Sequence, residues 1–410
     1  MRILFVCPDA PYPPRDGGSL RIVNLARSLA RCAEVALLTY VGFCDEARAL
    51  EHWGRESNIQ VRCVQRPARH NQLTRAWYKL SRHHASYLLS RIPGPVRFNA
   101  HPVMRAELGA TMSEFKPDAL VWEYWFMSRF AELARQLSPE TIQILDEIDV
   151  EWVRLSRWAN LGGGFYAWWA GFTEPKVRRY VLERYRQVDA VTVLTEADQN
   201  TVRHATSDAS RVWVLPMGLM LDDYPHLDAG RSNRLLFFGS FHHAPNVDAL
   251  EYLLRNLFPL IRQARAELML DIMGQALPKH LIALASSQPG VHVLGFQSDI
   301  RPLLSEAAVV IAPLRFGSGV KVKLLEAMAF GKAVVTTSIG AEGIRAEPGR
   351  EWVVADEVTA IVRETLRLLD NESMRREMGR HAHDWVCRHH NATDIADSVM
   401  RRLEEMQSRT

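Results

Sequence analysis

The amino-acid sequence predicts an α/β fold with two open parallel sheets, each wound by helices on both faces. The first observation is a repeated pattern of short apolar runs, each followed by a turn and an amphipathic stretch. Continuous runs rich in Val, Ile and Leu are typical of parallel strands buried on both faces. The second is the length of 410 residues, which is too great for one hydrophobic core. The third is a polar stretch without periodicity, at 221–233, that precedes a new set of apolar runs.

The apolar runs predict two sets of strands. The first set is Ile3–Cys7, Glu34–Tyr40, Ala119–Trp122, Thr141–Leu145 and Ala190–Leu194, and the second is Arg234–Phe238, Leu268–Met273, Val291–Leu294, Val309–Pro313 and Ala333–Thr337. The sets predict a domain over 1–220, a linker over 221–233 and a second domain over 234–385. A final segment, 386–410, contains an amphipathic helix at 392–407, which we expect to be too polar for a core element.

Composition and charge exclude several classes of protein. Hydrophobic residues make up 47% of the chain and charged residues 24%, which is typical of a globular protein and not of a disordered one. The net charge of +3, without a recognisable nucleic-acid-binding motif, argues against nucleic acid as a partner. The five cysteines have no CxxC spacing, so they predict neither a disulfide framework nor a zinc site. No apolar run approaches the ~20 residues of a membrane span, and the expected location is the cytoplasm.

The first predicted strand leads into a candidate anion site. Gly17 and Gly18 are expected to close a loop, and Ser19 is expected to cap the helix that follows. A strand, a glycine turn and a helix start together present free backbone N–H groups and a positive dipole end to an anion. The alternative is an ordinary turn between a strand and a capped helix.

The most informative segment is 307–344. A strand is predicted to end at Pro313, and a helix is predicted to begin near Val320 and to carry Glu326 in its second turn. The backbone amides of the intervening Gly-Ser-Gly loop can hold a phosphate, and Lys321 and Lys323 add full positive charge. A carboxylate at Glu326 could accept hydrogen bonds from two vicinal hydroxyls, such as those of a ribose. The alternative is a solvated helix face, with the glycines serving only the turn.

Three long segments of the chain are ILFVCPDAPYPPRDGGSLRIVNLARSLA, RLLFFGSFHHAPNVDAL and HVLGFQSDIRPLLSEAAVVIAPLRFGSGVKVKLLEAMAFGKAVVTTSIGAEGI. They resemble the retaining GT-B glycosyltransferases of family 4, in the branch associated with bacterial exopolysaccharide and other envelope glycans. The resemblance covers nearly the whole chain and is strongest over 235–344. It implies two Rossmann-like domains facing a cleft, with the donor nucleotide held by the second and the acceptor by the first. It also implies that the C-terminal helix crosses back to the first domain.

The resemblance assigns roles to individual residues. Glu326 matches the second glutamate of the family's Glu-x7-Glu motif, which holds the donor ribose, whereas Ser318 stands in place of the first. Ser240 and Pro245 stand where the family has an Arg and a Lys, and Lys321 and Lys323 are expected to supply that charge. Glu123 stands where many members have a histidine beside the donor sugar. The predicted catalytic residues are Lys323, Glu123 and Ser318; the predicted donor-binding residues are Gly17, Gly18, Gly239, Ser240, Gly295, Phe296, Gly317, Gly319, Val320, Lys321 and Glu326.

The family further implies a retaining hexosyl transfer from a UDP- or GDP-sugar to a glycan or lipid-linked acceptor. No cofactor and no metal ion are expected, because backbone amides and lysines would stabilise the departing diphosphate. Two other classes stay open at this point. One is a GT-B-like UDP-sugar epimerase that recruits Glu123, Asp146 and Asp149 as acid and base; the other is a non-catalytic sugar-nucleotide-binding protein, suggested by Ser318.

Two segments of the first domain have unusual composition. Residues 57–106 contain no Asp or Glu but nine Arg or Lys, interleaved with aromatic residues such as Trp77 and Tyr87. This pattern predicts docking on an anionic membrane surface, at the inner membrane, or else a solvated basic face. Residues 152–172 contain four tryptophans around a triple-glycine hinge at 162–164, which predicts either core packing of long helices or a lip that faces the acceptor or a membrane.

Overall fold

A computed structural model of the protein describes residues 1–66, 92–160, 165–206, 209–227, 230–297 and 299–408. The chain forms two compact units. The first comprises Met1–Gly218 together with Ala392–Thr410, and the second comprises Leu219–Asn391. The stretch predicted as a linker therefore lies within the second unit, where it contributes a 3₁₀ turn at Leu221–Asp223 and the start of a strand.

The first unit contains a seven-stranded sheet in the order β3–β2–β1–β4–β5–β6–β7, and every described pairing in it is parallel. The central strand β1 is buried from Ile3 to Cys7, since its neighbours β2 and β4 flank it and helices cover the sheet. The strands are β1 (Arg2–Cys7), β2 (Glu34–Val41), β3 (Ile59–Gln65), β4 (Ala119–Glu123), β5 (Ile142–Glu147), β6 (Ala190–Val193) and β7 (Val212–Val214).

Helices follow most strands of this unit, which is the connection that parallel strands require. They are α1 (Gly17–Leu29), α2 (Cys44–Glu56), α3 (Gly94–Asn99), α4 (Pro102–Phe115), α5 (Ala131–Leu137), α6 (Glu151–Asn160), α7 (Phe165–Tyr185) and α8 (Glu196–Ala205), with 3₁₀ turns at Met127–Phe130 and Ala209–Arg211.

The second unit contains a six-stranded parallel sheet in the order β10–β9–β8–β11–β12–β13. Its strands are β8 (Arg231–Phe238), β9 (Met269–Met273), β10 (Val291–Gly295), β11 (Ala307–Ala312), β12 (Ala333–Thr336) and β13 (Val353–Val354). Its helices are α9 (Ala244–Tyr252), a π-helical turn (Leu253–Leu257), α10 (Phe258–Ala264), α11 (Lys279–Ser286), α12 (Arg301–Glu306), α13 (Val322–Ala329), α14 (Ser338–Ala341), α15 (Val358–Asp370) and α16 (Glu372–His389).

Each sheet has one point where the winding direction reverses. In the first unit the chain passes from β1 to β2 and β3, then returns to β4 on the other side of β1. In the second unit it passes from β8 to β9 and β10, then returns to β11 on the other side of β8. Open parallel sheets bind ligands at the carboxyl ends of the strands that flank such a reversal. The expected ligand-binding positions are therefore the carboxyl ends of β1 and β4 in the first unit and of β8 and β11 in the second.

All ten strands predicted from apolar runs are confirmed, with ends that differ by a few residues. Three strands were missed. β3 lies at the edge of its sheet and alternates buried with exposed residues, so it carries no continuous apolar run. β7 and β13 have only three and two residues, which is too short for a pattern to be recognised.

The C-terminal segment differs in two ways from its expected form. Helix α16 extends to His389, so residues 386–391 lie in the second unit and the last helix, α17 (Ala392–Gln407), begins after them. α17 belongs to the first unit and packs against α1. The expectation that it is too polar for the core was wrong, because Ile395, Val399 and Leu403 recur at helical spacing and are buried.

The two segments of unusual composition are described only in part. Of the basic stretch 57–106, residues 67–91 lie outside the described residues, so its docking on a membrane stays a prediction. In the tryptophan-rich segment, Trp152 and Trp169 are buried in the core, whereas Trp168 is 57% exposed. The triple glycine at 162–164 also lies outside the described ranges. None of the described helices is long and apolar enough to span a bilayer.

Candidate functional site

The carboxyl edge of the second sheet is formed by turns in which glycines permit a close approach of the backbone. Gly239 follows β8 with a φ of +155°, and Gly274 follows β9 with a φ of +154°. A Cβ added to Gly274 would lie 1.9 Å from the carbonyl oxygen of Gly239. A Cβ added to Gly239 would lie 3.4 Å from the Nζ atom of Lys323. The tightest contact of that Cβ would be with the Asn246 side-chain amide at 3.0 Å, so Gly239 leaves room for Asn246 at the end of the central strand.

Lys323 is held at this edge by contacts from β8 and α9. Its Nζ atom donates a hydrogen bond to Oδ1 of Asn246 at 2.7 Å and lies 4.7 Å from the ring centroid of Phe237. The Asn246 amide in turn donates to the carbonyl oxygen of Ser240 at 2.8 Å. The Lys323 side chain is thus fixed against β8 and α9, where the winding of the sheet reverses.

The electrostatic surroundings of Lys323 favour an anion. Burial, together with the like charge of Lys321, lowers the pKa of Lys323 to about 7. No carboxylate lies within ion-pair distance of Lys323 in the part of the chain that the structure describes. The positive charges of Lys321 and Lys323 repel each other, and no carboxylate among the described residues neutralises Lys323. A bound phosphate would offset this unfavourable electrostatic energy.

The loop that precedes α13 contains the predicted Gly-Ser-Gly turn. Gly317 and Gly319 have φ values of +135° and +71°, so both need the conformational freedom of glycine. The Nζ atom of Lys321 donates to the carbonyl oxygen of Gly319 at 2.6 Å, which closes the loop. The helix begins at Val322, two residues after Val320, because Lys321 still has a non-helical ψ of 83°. Ser318 and Val320 are half-buried in this loop.

Glu326 lies in the second turn of α13, as its spacing predicts. Its carboxylate accepts a hydrogen bond from the hydroxyl of Tyr224 at 3.2 Å. Burial raises the pKa of Glu326 to about 7, and the Tyr224 hydrogen bond acts in the opposite direction. Tyr224 was missed by the sequence analysis, since it lies in the stretch predicted as a linker and no local pattern distinguishes it.

Gly295 and Phe296 lie farther along the same edge. Gly295 ends β10, which is two strands from β8, and Phe296 follows it. The carbonyl oxygen of Gly295 accepts a hydrogen bond from the backbone N–H of Gly274 at 2.9 Å, and Phe296 is 66% exposed. The structure thus brings Gly239, Ser240, the glycine loop and Lys323 together, and places Gly295 and Phe296 beside them at the rim of the sheet.

In the first unit, the glycine pair belongs to a helix and not to a loop. α1 begins at Gly17, and its N-cap is Asp16, whose carboxylate accepts from the backbone N–H of Ser19 at 2.8 Å. The expectation that Ser19 is the cap was wrong, because the Ser19 hydroxyl oxygen accepts a hydrogen bond from the Asp16 N–H at 3.0 Å as the distal member of a capping box. A Cβ on Gly18 would lie 2.1 Å from the hydroxyl oxygen of Tyr124, which explains a glycine at this position.

Glu123 ends β4 and is completely buried. Neither of its carboxyl oxygens has a hydrogen-bond partner among the described residues. Burial and, secondarily, the charge of Asp146 raise its pKa well above the ordinary value, while Arg21 acts in the opposite direction. Burial therefore favours the protonated form of Glu123, at the point where the first sheet reverses.

Asp146, at the end of β5, has a different environment. Arg21 donates to its two carboxylate oxygens at 2.7 and 2.9 Å, and Thr192 donates at 2.6 Å. Arg21 also donates to the carbonyl oxygen of Pro216 at 2.8 Å. A carboxylate that is buried in a bidentate ion pair is poorly placed to exchange protons with a substrate. This arrangement argues against the epimerase alternative, which needs Asp146 as an acid or base.

Tyr124, the residue after Glu123, is a second site residue that the sequence analysis missed. Its φ of +67° is unusual for a non-glycine residue, and its N–H donates to the carbonyl oxygen of Asp146 at 3.1 Å. Strained backbone of this kind concentrates at functional sites.

Within the described ranges, no three metal-binding side chains converge to form an ion site.

Part of the second unit matches a known protein family. Residues 232–371 match the family model described as Glycosyl transferases group 1, which is about a third of the chain. A curated protein of Klebsiella pneumoniae, an uncharacterized 44.6 kDa protein in the cps region, is 24% identical over 185 residues. That alignment covers 43% of this chain and 47% of the Klebsiella protein, so the match spans about half the length of the relative.

Several solved structures share the whole fold. Anabaena HepE in complex with UDP and glucose has a TM-score of 0.69 at 15% identity, over 98% of this chain and 99% of HepE. Sucrose-phosphate synthase from Thermosynechococcus elongatus has a TM-score of 0.72 at 15% identity, over the full length of both chains. A variant of Staphylococcus aureus TarM, solved with Fondaparinux, alpha-GlcNAc-glycerol and UDP, has a TM-score of 0.69 at 9% identity, over 98% of this chain and 100% of TarM.

The fold is that of the GT-B glycosyltransferases, with two Rossmann-like domains built on parallel sheets. Together with the group 1 domain in the second unit, it supports a glycosyltransferase enzyme.

Proposed function

We propose that the protein is a retaining glycosyltransferase that uses a UDP-sugar donor and acts in the assembly of a bacterial polysaccharide or glycoconjugate. The observation that carries the proposal is the convergence of Lys321, Lys323 and a glycine loop at the reversal point of the second sheet. UDP is the favoured nucleotide because HepE and TarM were solved with it. The polysaccharide context is supported by the cps-region relative.

The proposed mechanism requires little acid–base chemistry at the donor. As the bond between sugar and diphosphate breaks, negative charge accumulates on the diphosphate. The loop amides between Gly317 and Lys321, together with the Lys323 ammonium, stabilise that charge in a preorganised site. The departing phosphate then takes the proton of the acceptor hydroxyl on the same face of the sugar, which retains the anomeric configuration without a protein nucleophile. Because lysines supply the positive charge, we propose that transfer is metal-independent.

A labelled UDP-hexose tests this activity directly. The purified protein is expected to transfer the sugar to a glycan or lipid-linked acceptor, or to hydrolyse the donor slowly without one. Binding of UDP with neither transfer nor hydrolysis would indicate the non-catalytic sugar-nucleotide-binding alternative.

We further propose that the acceptor is lipid-linked and that the enzyme acts at the cytoplasmic face of a membrane. This part rests on the basic composition of 57–106 and on the exposed, stacked rings of Trp168 and Phe172, with Lys176 over the Phe172 ring at 4.4 Å. Aromatic and basic side chains together favour an anionic lipid surface.

Glu326→Gln is expected to weaken UDP binding by about 10-fold or more, because a charged acceptor of ribose hydrogen bonds becomes a neutral amide. Affinity for inorganic pyrophosphate, which has no ribose, should change little. Isothermal titration calorimetry with the two ligands measures the difference. Glu357→Gln is a matched control, since Glu357 is exposed in the same unit and caps α15 without a side-chain hydrogen bond. Equal losses for UDP and pyrophosphate would contradict the ribose assignment.

Glu123→Gln is expected to reduce sugar transfer by about 10-fold or more, because an amide cannot reproduce the hydrogen bonds of a carboxyl group. We propose that the Glu123 carboxyl group forms a hydrogen bond to a hydroxyl of the substrate, while the departing phosphate takes the acceptor proton. Since Glu123 has no exposed surface in this structure, the substrate or a bridging water molecule must reach it when substrate binds. The fold should be retained, because the amide has nearly the same shape as the carboxyl group.

Glu147→Gln provides the matched control for Glu123. Glu147 lies on the neighbouring strand β5, is equally buried, and has a pKa raised by burial. Turnover should fall in the Glu123 variant alone, with similar melting temperatures for both variants. Equal loss of turnover would show that the effect comes from burial and not from a role in transfer.

A further inference from the structure

Tyr224 is fixed against the same helix that carries Glu326. It follows the 3₁₀ turn at Leu221–Asp223 and is only 8% exposed. Its ring packs on Phe330 with centroids 4.9 Å apart, and Phe330 caps the C-terminal end of α13, one turn after Glu326. The Phe330 contact therefore fixes the ring, and the fixed ring directs the hydroxyl to the Glu326 carboxylate at 3.2 Å.

The hydrogen bond from Tyr224 engages one of the two carboxylate oxygens. It reaches Oε1, and the carboxylate of Glu326 has no other hydrogen bond to the described residues. A carboxylate can accept about four hydrogen bonds, so Oε2 and the remaining lone pair of Oε1 stay available. A pair of vicinal hydroxyls presents two hydrogen-bond donors. The remaining acceptor sites of the Glu326 carboxylate can accept both.

We propose that Tyr224 is a positioning residue for ribose recognition, which holds Glu326 in one orientation so that its free oxygen accepts from the ribose hydroxyls. The inference rests on the proposed function, because it assumes that a nucleotide occupies the site. Glu326 binds the sugar, and Tyr224 acts through it.

The ionisation of Glu326 supports the same assignment. Burial favours the protonated acid, whereas the Tyr224 hydroxyl donates to the carboxylate and so favours the ionised form. Removal of the hydroxyl would leave a larger fraction of Glu326 protonated, and a protonated carboxyl group is a weaker acceptor for the ribose.

Tyr224→Phe tests the inference, because it keeps the ring on Phe330 and removes only the hydroxyl. By calorimetry, UDP affinity is expected to fall about 5- to 10-fold, because Glu326 loses the contact that orients its carboxylate toward the ribose. Affinity for 2′-deoxy-UDP, which lacks one of the two donors, is expected to fall less than about 2-fold. The ratio of the UDP affinity to the 2′-deoxy-UDP affinity should therefore decrease. If Tyr224 only stabilised the fold, both affinities would fall equally and the ratio would not change.

Two further variants test whether Tyr224 acts on nucleotide binding through Glu326. In the Glu326→Gln background, Tyr224→Phe should not change the UDP preference further, since residues that act through one contact are not additive. Tyr252→Phe, in the same unit, removes a tyrosine hydroxyl from a ring that packs against Arg315, and should leave the preference unchanged. Melting temperatures confirm that each variant is folded.

The outcomes separate this inference from the proposed function. If the wild-type protein prefers UDP and Tyr224→Phe keeps that preference, the inference is wrong and the function stands. Equal loss of affinity for both nucleotides would also overturn it, because Tyr224 would then act only on the fold. If the wild-type protein binds neither nucleotide, the proposed function itself fails.

Discussion

Replacing Lys323 with alanine is expected to lower transfer from a UDP-sugar by about 10²- to 10³-fold, the usual effect of removing one preorganised donor from a developing negative charge. The reason is geometric. The Lys323 ammonium is fixed by Asn246 and by the Phe237 ring at the end of the central strand, beside the glycine loop. The fold should tolerate the change, because it removes a partly desolvated cation that is repelled by Lys321.

Binding of UDP and of uridine distinguishes a role at the diphosphate from a general loss. Lys323→Ala should weaken UDP binding and leave uridine binding unchanged. Lys279→Ala is the matched control, since it removes an exposed lysine from α11 in the same unit with the same change in net charge. Unchanged UDP affinity in Lys323→Ala would contradict the diphosphate assignment.

Lys323 also determines how the affinity for UDP changes at alkaline pH. The pKa of Lys323 is lowered to about 7, so about half of its charge remains at pH 7 and the rest is lost as the pH rises further. Affinity for UDP should therefore decline above about pH 7. Glu326, whose pKa is raised to about 7, acts in the other direction, because its carboxylate is lost as the pH falls. UDP binding should thus be greatest near neutrality, and Lys323→Ala should lose the alkaline decline.

Arg21→Met is expected to destabilise the first unit by about 3–5 kcal/mol, because it leaves the buried Asp146 carboxylate without its cation. Both side chains are almost completely buried, and the guanidinium also bonds the Pro216 carbonyl, so water cannot replace it. The free energy of unfolding from urea titration measures the loss. Hydrogen exchange of peptides from α1 and β5 assigns it to this unit, because the two units need not unfold together.

An exposed ion pair of the same unit provides the control for Arg21. Arg62 pairs with Glu114 at the surface, and both side chains are about half exposed. Arg62→Met should therefore change the free energy of unfolding by less than about 1 kcal/mol. A loss below about 1 kcal/mol in Arg21→Met as well would show that the Arg21–Asp146 pair has no special role in stability.

The sequence alone predicts those strands, loops and site residues whose pattern lies within a short stretch of the chain. Central strands such as β1 and β11 are buried on both faces, so they appear as continuous apolar runs. The edge strand β3 has one exposed face, and its alternating pattern is too weak to be recognised. The glycine loop and Glu326 could be predicted because they lie within one short strand–loop–helix segment.

The parts of the site that could not be predicted depend on pairs of residues far apart in the chain. Asn246 lies 77 residues from Lys323, and Tyr224 lies 102 residues from Glu326. Arg21 and Asp146, separated by 125 residues, are likewise joined only by the fold. Local spacing carries no information on such contacts. The start of α1 was misplaced for a different reason, since Asp16 and Ser19 are both good caps and only the hydrogen bonds distinguish them.

A crystal structure of the protein with UDP tests the central claim most directly. The account predicts that the diphosphate lies on the loop amides between Gly317 and Lys321, within hydrogen-bond distance of the Lys323 Nζ atom, with the ribose hydroxyls on Glu326. A diphosphate bound away from Lys323, or a ribose without contact to Glu326, would contradict it.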